Sequence, residues 1–376
     1  MFANYNIPIY YLDGRVGYAD QWTIDLITSG AVDFGAYPKG FDMARGRKPA
    51  KSAVAEKLSA ALDFVKPATR DVGQYSNHDH ILIANKRVKA FNGRITMSTP
   101  IDEDIEACPH YDRFRDALNK CGKTLTISTT EGGKLSIKGD KLNALIPCID
   151  EDDFADINAD FGIAQFDMTP IIEAIKLVGI LAEDDAETVL ESSVLLQPSS
   201  CFATDRHTAL EAYHGINMPI IALPKAFVSA VSKIDKKPIN FGYSDKTFTI
   251  HFEDTSWIKT TIFEGGWPDV SQLFAPQSFP APVPPGLLEA IGMVKGFSDS
   301  HTVKFMNGAV WSHASDKEGA QYPVEGLQET PNFWNGDYWG RFEHLIEAVD
   351  ITTYPDKAFF FKGTTVRGLI AGKAGE

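Results

Sequence analysis

Apolar residues recur at helical spacing in three stretches of the chain: VAEKLSAALDFV at 54–65, TPIIEAIKLVGIL at 169–181 and PPGLLEAIGMV at 284–294. Positions three and four apart fall on one face, so each stretch predicts an amphipathic helix. A second set of helical patterns follows at HYDRFRDALNKCG (110–122), PKAFVSAVSKID (224–235) and YWGRFEHLIEAVD (338–350). After each of these the period changes from 3.6 to two, in KTLTIST with KLSIKG, PINFGYS with TFTIHF, and AFFFKG with VRGLIAG. That alternation is the signature of half-buried, paired strands.

The order of elements repeats with nearly constant spacing. Glu173, Ala174, Ile175 and Val178 recur as Glu289, Ala290, Ile291 and Val294, 116 residues on. Phe114, Phe227 and Phe342 are 113 and 115 apart, and Leu118, Val231 and Ile346 keep the same step. The turns DDFADI and GGWPDV place Phe154 and Trp267 113 apart. One coincidence of helix and hairpin is expected in any α+β protein, but this many markers in one order point to a triplicated unit of about 114 residues. The expected fold class is α+β, two helices on antiparallel sheets in each unit, with domains at 51–158, 159–276 and 277–376. FAPQSFPAPVPPG, with five prolines between Phe274 and Gly286, reads as the linker into the third. Residues 1–50 stand outside the repeat: YYLDGRVGY reads as a hairpin around Asp13-Gly14, and ARGRKPAK at 44–51 is basic. That extension reads first as an added strand or edge cover, and second as a partner site or DNA-contacting arm.

Composition narrows the function. The 376 residues carry a net charge of −14, which argues against a protein coated in Lys and Arg for tight, sequence-specific DNA binding. Positive charge confined to one surface remains compatible with DNA. No apolar run approaches the roughly 20 residues needed to cross a bilayer, so no membrane partner is expected. The opening MFANYNIPIYYLDGR lacks the features of a secretory signal, which makes the cytoplasm the expected compartment. Cys108, Cys121, Cys148 and Cys201 show no metal or disulfide spacing.

If the repeat encloses DNA, its size fixes the assembly. A unit of this length has a radius of gyration of about 13 Å, hence a diameter of roughly 34 Å. Three such spheres in a triangle leave a hole of about 5 Å, whereas six in a ring leave about 34 Å, and only the larger hole passes a duplex roughly 20 Å wide. Two chains must then pair head to tail, the first unit of each meeting the third of the other.

Residues 51–376 resemble the bacterial sliding clamp, the β subunit of the replicative DNA polymerase. The local likeness lies in SCFATDRHTALEAY at 200–213, similar to the family's ATDGHRLA segment, in IALPKAFVSAVSKI, and in IFEGGWPDVSQLF, where the family has an L-x-x-G-x-[FY]-P-D turn. The resemblance implies a homodimeric ring with helices facing the hole, a replicative polymerase and a clamp loader as partners, and no cofactor. Its inner surface needs mobile cations that hold phosphates without reading sequence. The candidates are Lys57, Lys66, Arg70, Arg113, Arg115, Lys120 and Lys123 in the first unit, Lys176, Lys225, Lys233, Lys236 and Lys237 in the second, and Lys295 and Arg341 in the third.

The resemblance also implies an apolar cleft between the second and third units for short partner peptides. Carried over by position, it comprises Thr204, Arg206, His207, Thr208, Ala209, Pro268, Gln272, Leu273, Leu369, Ile370, Ala371 and Gly372, with Leu190 and Val194 beside them. Arg206 stands where the family has Gly, Thr208 where it has Arg and Ala209 where it has Leu, and AGKAGE replaces an apolar ending. A shallower cleft, or one for a different peptide, is expected. The competing reading is a metal-dependent nuclease, whose two-metal site the acidic runs at 102–104, 151–153 and 183–185 could imitate. Separately, His78-Asp79-His80 could ligate a metal, since residues at i and i+2 on a strand share one face, but a third ligand is not evident. No P-loop, GxSxG or HExxH motif occurs, so the leading expectation is a tether without catalysis.

Overall fold

The computed structural model of the protein describes residues 7–10, 16–19, 52–69, 77–162, 166–184, 186–263, 265–274, 279–312 and 319–373. Two compact units divide it, 1–50 and 51–376. In the first, β1 (Ile7–Tyr10) pairs antiparallel with β2 (Val16–Ala19), Tyr10 opposite Val16, as the expected hairpin requires. The turn between them, and ARGRKPAK, lie outside the described residues.

In the second unit one order of elements occurs three times. The first copy runs α1 (Ala53–Val65), β3 (Ile81–Ala84), β4 (Arg87–Phe91), β5 (Ile95–Pro100), β6 (Cys108–Pro109), α2 (Tyr111–Lys120), β7 (Leu125–Thr129), β8 (Leu135–Gly139), β9 (Asn143–Ile146) and β10 (Cys148–Ile149). The second runs α3 (Thr169–Val178), β11 (Ser193–Gln197), β12 (Ser200–Thr204), β13 (Thr208–Tyr213), β14 (Ile221–Pro224), α4 (Lys225–Val231), β15 (Pro238–Tyr243), β16 (Thr247–Phe252), β17 (Trp257–Thr261) and the short α5 (Ser271–Phe274). The third runs β18 (Ala281–Pro282), α6 (Leu287–Val294), β19 (Thr302–Met306), β20 (Ala309–Trp311), β21 (Gln321–Pro323), β22 (Phe333–Asn335), α7 (Gly336–Phe342), β23 (Ala348–Asp350), β24 (Lys357–Lys362) and β25 (Val366–Ala371).

The helices bury the predicted stripes: Ala55, Leu58, Ala61, Leu62 and Val65 on α1, and Ile171, Ile172, Ala174, Ile175 and Val178 on α3. In each copy the two helices pack on one another. Two expected helices are shorter than their patterns. The one expected from 284 starts at Leu287, because Pro284 and Pro285 lead into Gly286 at φ +80. The one expected over 338–350 ends at Phe342. A single 3-10 turn follows, and 348–350 is strand β23, whose Val349 pairs with Phe360. Ile346 is therefore buried in extended backbone and does not continue a helical face as Leu118 and Val231 do.

Sheets cross from copy to copy. The order β15-β16-β17-β5-β4-β3 joins the last hairpin of the second copy to the first strands of the first copy. The order β14-β11-β12-β13-β25-β24-β23-β18 joins the third copy to the second in the same way. The contacts are equivalent: β17 lies against β5 with Trp257 opposite Ser98, and β25 against β13 with Arg367 opposite Glu211. One apolar core runs between helices and sheets, and a second, smaller cluster lies elsewhere.

Candidate functional site

Strand alternation makes the smaller cluster a surface feature of the sheet between the second and third copies. On β11 to β13, Val194, Leu196, Cys201, Ala203, Leu210 and Ala212 join the main core with the helices, so Leu195, Phe202 and Ala209 point the other way. Phe359 of β24 and Leu369 of β25 extend that outer floor. Its cover is the Trp267-Pro268-Asp269 turn with Val270 and Phe274 of the following segment. The Phe274 ring lies 5.9 Å from Phe202 and 6.2 Å from Phe359, and Trp267 lies 5.6 Å edge-on to Phe202 while its Nε1–H donates to Ser193 Oγ at 2.9 Å. Burial of one such ring contributes about 2 kcal/mol, which holds a four-residue helix too short to stand alone. Over Phe274 lies the Arg367 guanidinium, 4.6 Å from the ring centre, its Nε–H donating to Glu211 at 2.5 Å.

This floor contains part of the peptide cleft expected from sequence. Ala209 and Leu369 lie in it, and Gln272 and Leu273 are exposed at its rim. Val194 and Ile370 do not line it: both are fully buried in the main core, because their positions alternate toward the helices. Thr204 and Thr208 are buried and occupied locally, Thr204 donating to Thr208 O at 2.6 Å and Thr208 to Asp205 at 2.9 Å. Leu190, Ala371 and Gly372 are half-buried, and Pro268 is exposed. Arg206 stands at φ +68, a left-handed conformation that glycine adopts freely and a side chain only at a cost of about 1 kcal/mol. Arg206 meets Glu191 at 2.7 Å, and His207 stacks on Tyr338 of α7 at 6.0 Å. Phe202, Val270, Phe274 and Phe359 were missed. The spacing of Val270 and Phe274, one helical turn, and the run Phe359 to Phe361 in a strand were the available signals.

The matching face between the first and second copies is polar. Cross-strand pair Thr249 and Lys259 there corresponds to Phe359 and Leu369. Thr249 Oγ1 donates to Asp160 at 2.8 Å, Lys259 Nζ at 3.0 Å, and Thr247 Oγ1 reaches both carboxylate oxygens at 2.9 Å. Burial pushes the Asp160 pKa up, but these hydrogen bonds and the ammonium outweigh it and hold the group below the usual carboxylate range.

The helix cations divide into two sets. Lys57 is tied to Asp102, Arg115 to Asp63, Lys120 to Asp116, Lys236 to Asp254, Lys295 to Asp337 and Arg341 to Asp205. Lys225 donates to Gly179 O at 2.7 Å. Among the described residues, Lys66, Arg113, Lys123, Lys233 and Lys237 are exposed and form no ion pair, and Lys176 is half-buried. Both third-copy candidates thus have carboxylate partners, Arg341 bridging to the second copy. Arg70 lies outside the described residues.

His78-Asp79-His80 is not a strand with two ligands on one face. Residues 77–79 form a turn, and Asp79 bridges His80 at 2.6 Å and His110 at 3.2 Å. Asp79 O also accepts from Tyr111 N–H at the start of α2, so the group holds that helix in place. Among the described residues, no three His, Cys, Asp or Glu side chains are grouped to hold a metal ion.

No family model matches the sequence, and no curated protein does. Solved structures do match. The β subunit of the Streptococcus pyogenes DNA polymerase is 13% identical with a TM-score of 0.72, over 85% of this chain and 98% of that one. The DNA polymerase sliding clamp of Bacillus subtilis is 14% identical with a TM-score of 0.71, over 86% and 98%. The Helicobacter pylori β clamp, bound to a DNA ligase peptide, is 14% identical with a TM-score of 0.68, over 84% and 97%. The chain has the fold of the bacterial DNA polymerase III β sliding clamp.

Proposed function

We propose that two copies of this chain close into a ring around duplex DNA and tether a replicative polymerase to it, without catalysis. The observation that carries the reading is the rule by which the copies join. The last strand of one copy's second hairpin sheet pairs with the third strand of the preceding copy's first sheet, as β17 on β5 and β25 on β13. By that rule β9 and β21 each have one edge without a partner strand among the described residues: β9 ends the order β7-β8-β9, and β21 ends β21-β20-β19-β22. Pairing β9 of one copy with β21 of another, twice, satisfies both edges and gives six repeats. Joining them within one chain would leave a hole of about 5 Å, too narrow for a duplex. Leu145 on β9, 56% exposed, is suited to such a contact. An open strand edge beside an apolar side chain favours pairing with another chain.

Lys66, Arg113, Lys123, Lys233 and Lys237 serve in this reading as the free inner-surface cations, and DNA is gripped mainly by the first two domains, 51–158 and 159–276, with less from the third, 277–376. The outer apolar floor between the second and third domains receives a short peptide of the polymerase or the clamp loader; the Helicobacter clamp is a protein of this fold that is bound to a DNA ligase peptide. Chemistry supports that placement, since the equivalent floor one junction earlier is polar. The test is topological. Sizing should give a particle of about 83 kDa, twice 41.3 kDa. Once loaded, the ring should stay on nicked circular DNA and run off when that DNA is cut. A monomer at micromolar concentration, or equal loss from circular and linear DNA, overturns the reading.

A further inference from the structure

The apolar floor between the second and third copies is already filled by a side chain of this protein. Asp156, Ile157 and Phe161 recur 113 residues on as Asp269, Val270 and Phe274, so the two phenylalanines hold one position of the repeat. Their placement is opposite: Phe161 is 98% exposed and Phe274 only 8%. The floors differ in the same sense. At the first junction Thr249 and Lys259 take the carboxylate of Asp160, the residue before Phe161, and the ring is left in water. At the second junction Phe359 and Leu369 stand in those places and take the ring, while Leu273, the counterpart of Asp160, is 38% exposed. The backbone differs with the ring: 271–274 is the helical α5, whereas 158–161 is not helical and its Asp160 N–H donates to Thr249 Oγ1 at 3.2 Å.

We propose that Phe274 is a resident plug: Leu195, Phe202, Ala209, Phe359 and Leu369 form a receptor for one aromatic side chain of a partner's short peptide, and α5 competes for it from within the chain. The proposal rests on the clamp reading, which brings a peptide to this face. The segment is built to leave. It is four residues long, with Gln272 and Leu273 exposed, and it is approached through Gly265 and Gly266 at φ +71 and +89, positions where glycine turns the chain without strain. An aromatic side chain is favoured over an aliphatic one because the Arg367 guanidinium, 4.6 Å from the ring centre, attracts the face of a π system. A partner peptide therefore has to displace Phe274 before it is seated.

The plug's own sequence provides the probe. A synthetic, fluorescently labelled Asp-Val-Ser-Gln-Leu-Phe peptide, matching residues 269–274, is titrated into full-length protein and into Phe274→Ala. A plug in place nine-tenths of the time lowers apparent affinity tenfold, so the variant should bind the peptide about tenfold more tightly or better. The same peptide ending in alanine should lose that binding. Equal affinity of the two proteins, or undiminished binding of the alanine peptide, overturns the proposal. If Phe274→Ala does not fold, Gln272→Gly with Leu273→Gly decides it. Both sites are exposed, the glycines weaken the helix without touching the floor, and several-fold tighter binding is expected, with no gain counting as refutation. The readout needs no DNA, so retention on circular DNA without a gain in peptide binding sinks the plug and leaves the ring standing.

Discussion

Replacing Asp160 with alanine tests the account of the polar junction most directly. The carboxylate accepts from Thr247, Thr249 and Lys259, and only 13% of its side chain and 14% of that of Lys259 are exposed. After truncation the ammonium keeps one protein acceptor, Asn158 O at 2.9 Å. Removing one partner of a fully dry pair costs about 3–5 kcal/mol. Here water reaches the edge of the site and re-solvates part of the charge, so a loss of about 2–3 kcal/mol is expected. Urea unfolding, at one protein concentration because association adds to apparent stability, measures it. Lys259→Met in the Asp160→Ala background should restore part of the loss, since the stranded charge is then gone. A loss below about 0.5 kcal/mol, the level of an exposed ion pair, refutes the reasoning. The pH dependence has a definite sign. Because the folded protein holds this carboxyl below its unfolded pKa, its contribution is complete above the ordinary carboxylate range near pH 4 and is lost as pH falls through the lower folded value. Asp160→Asn should lack that acid-side component.

Four further outcomes are expected. Leu145→Arg on β9 should shift the protein toward a single chain of 41.3 kDa in sedimentation while leaving its circular dichroism unchanged. Exchanging Lys66, Arg113, Lys233 and Lys237 for glutamine should flatten the salt dependence of DNA binding by up to about 0.9 log unit for each phosphate no longer neutralised, whereas Lys295→Gln should leave that slope unaltered because its charge is spent on Asp337. Arg206→Ala should lower stability by about 1 kcal/mol in thermal unfolding and Arg206→Gly by less, because only glycine adopts φ +68 freely. Gly368→Ala would bring a methyl group to 2.0 Å from the Phe360 ring, and a loss of about 2 kcal/mol or more is expected.

The sequence by itself determined the elements and their triplication. Periods of 3.6 and two are local properties, and spacings near 114 residues survive because each copy must bury the same helix stripes against the same strands. Domain size gave the expectation that a ring around DNA would need two chains. Element ends were less legible where local preferences competed, as at Ala348 to Asp350, where pairing with β24 overrides a helical pattern. The candidate site was legible only in part. Sequence marked Ala209 and Leu369 but could not separate them from Val194 and Ile370, since a strand's two faces look alike until the helices choose one. It supplied the cations without showing that Lys295 and Arg341 meet carboxylates, because Asp337 and Asp205 come near them only through packing. Phe161 and Phe274 share a position in the repeat, although Asp160 precedes the one and Leu273 the other. Their floors come from strands 65 to 98 residues away in the chain, so only the tertiary structure decides that one ring faces water and the other fills the site.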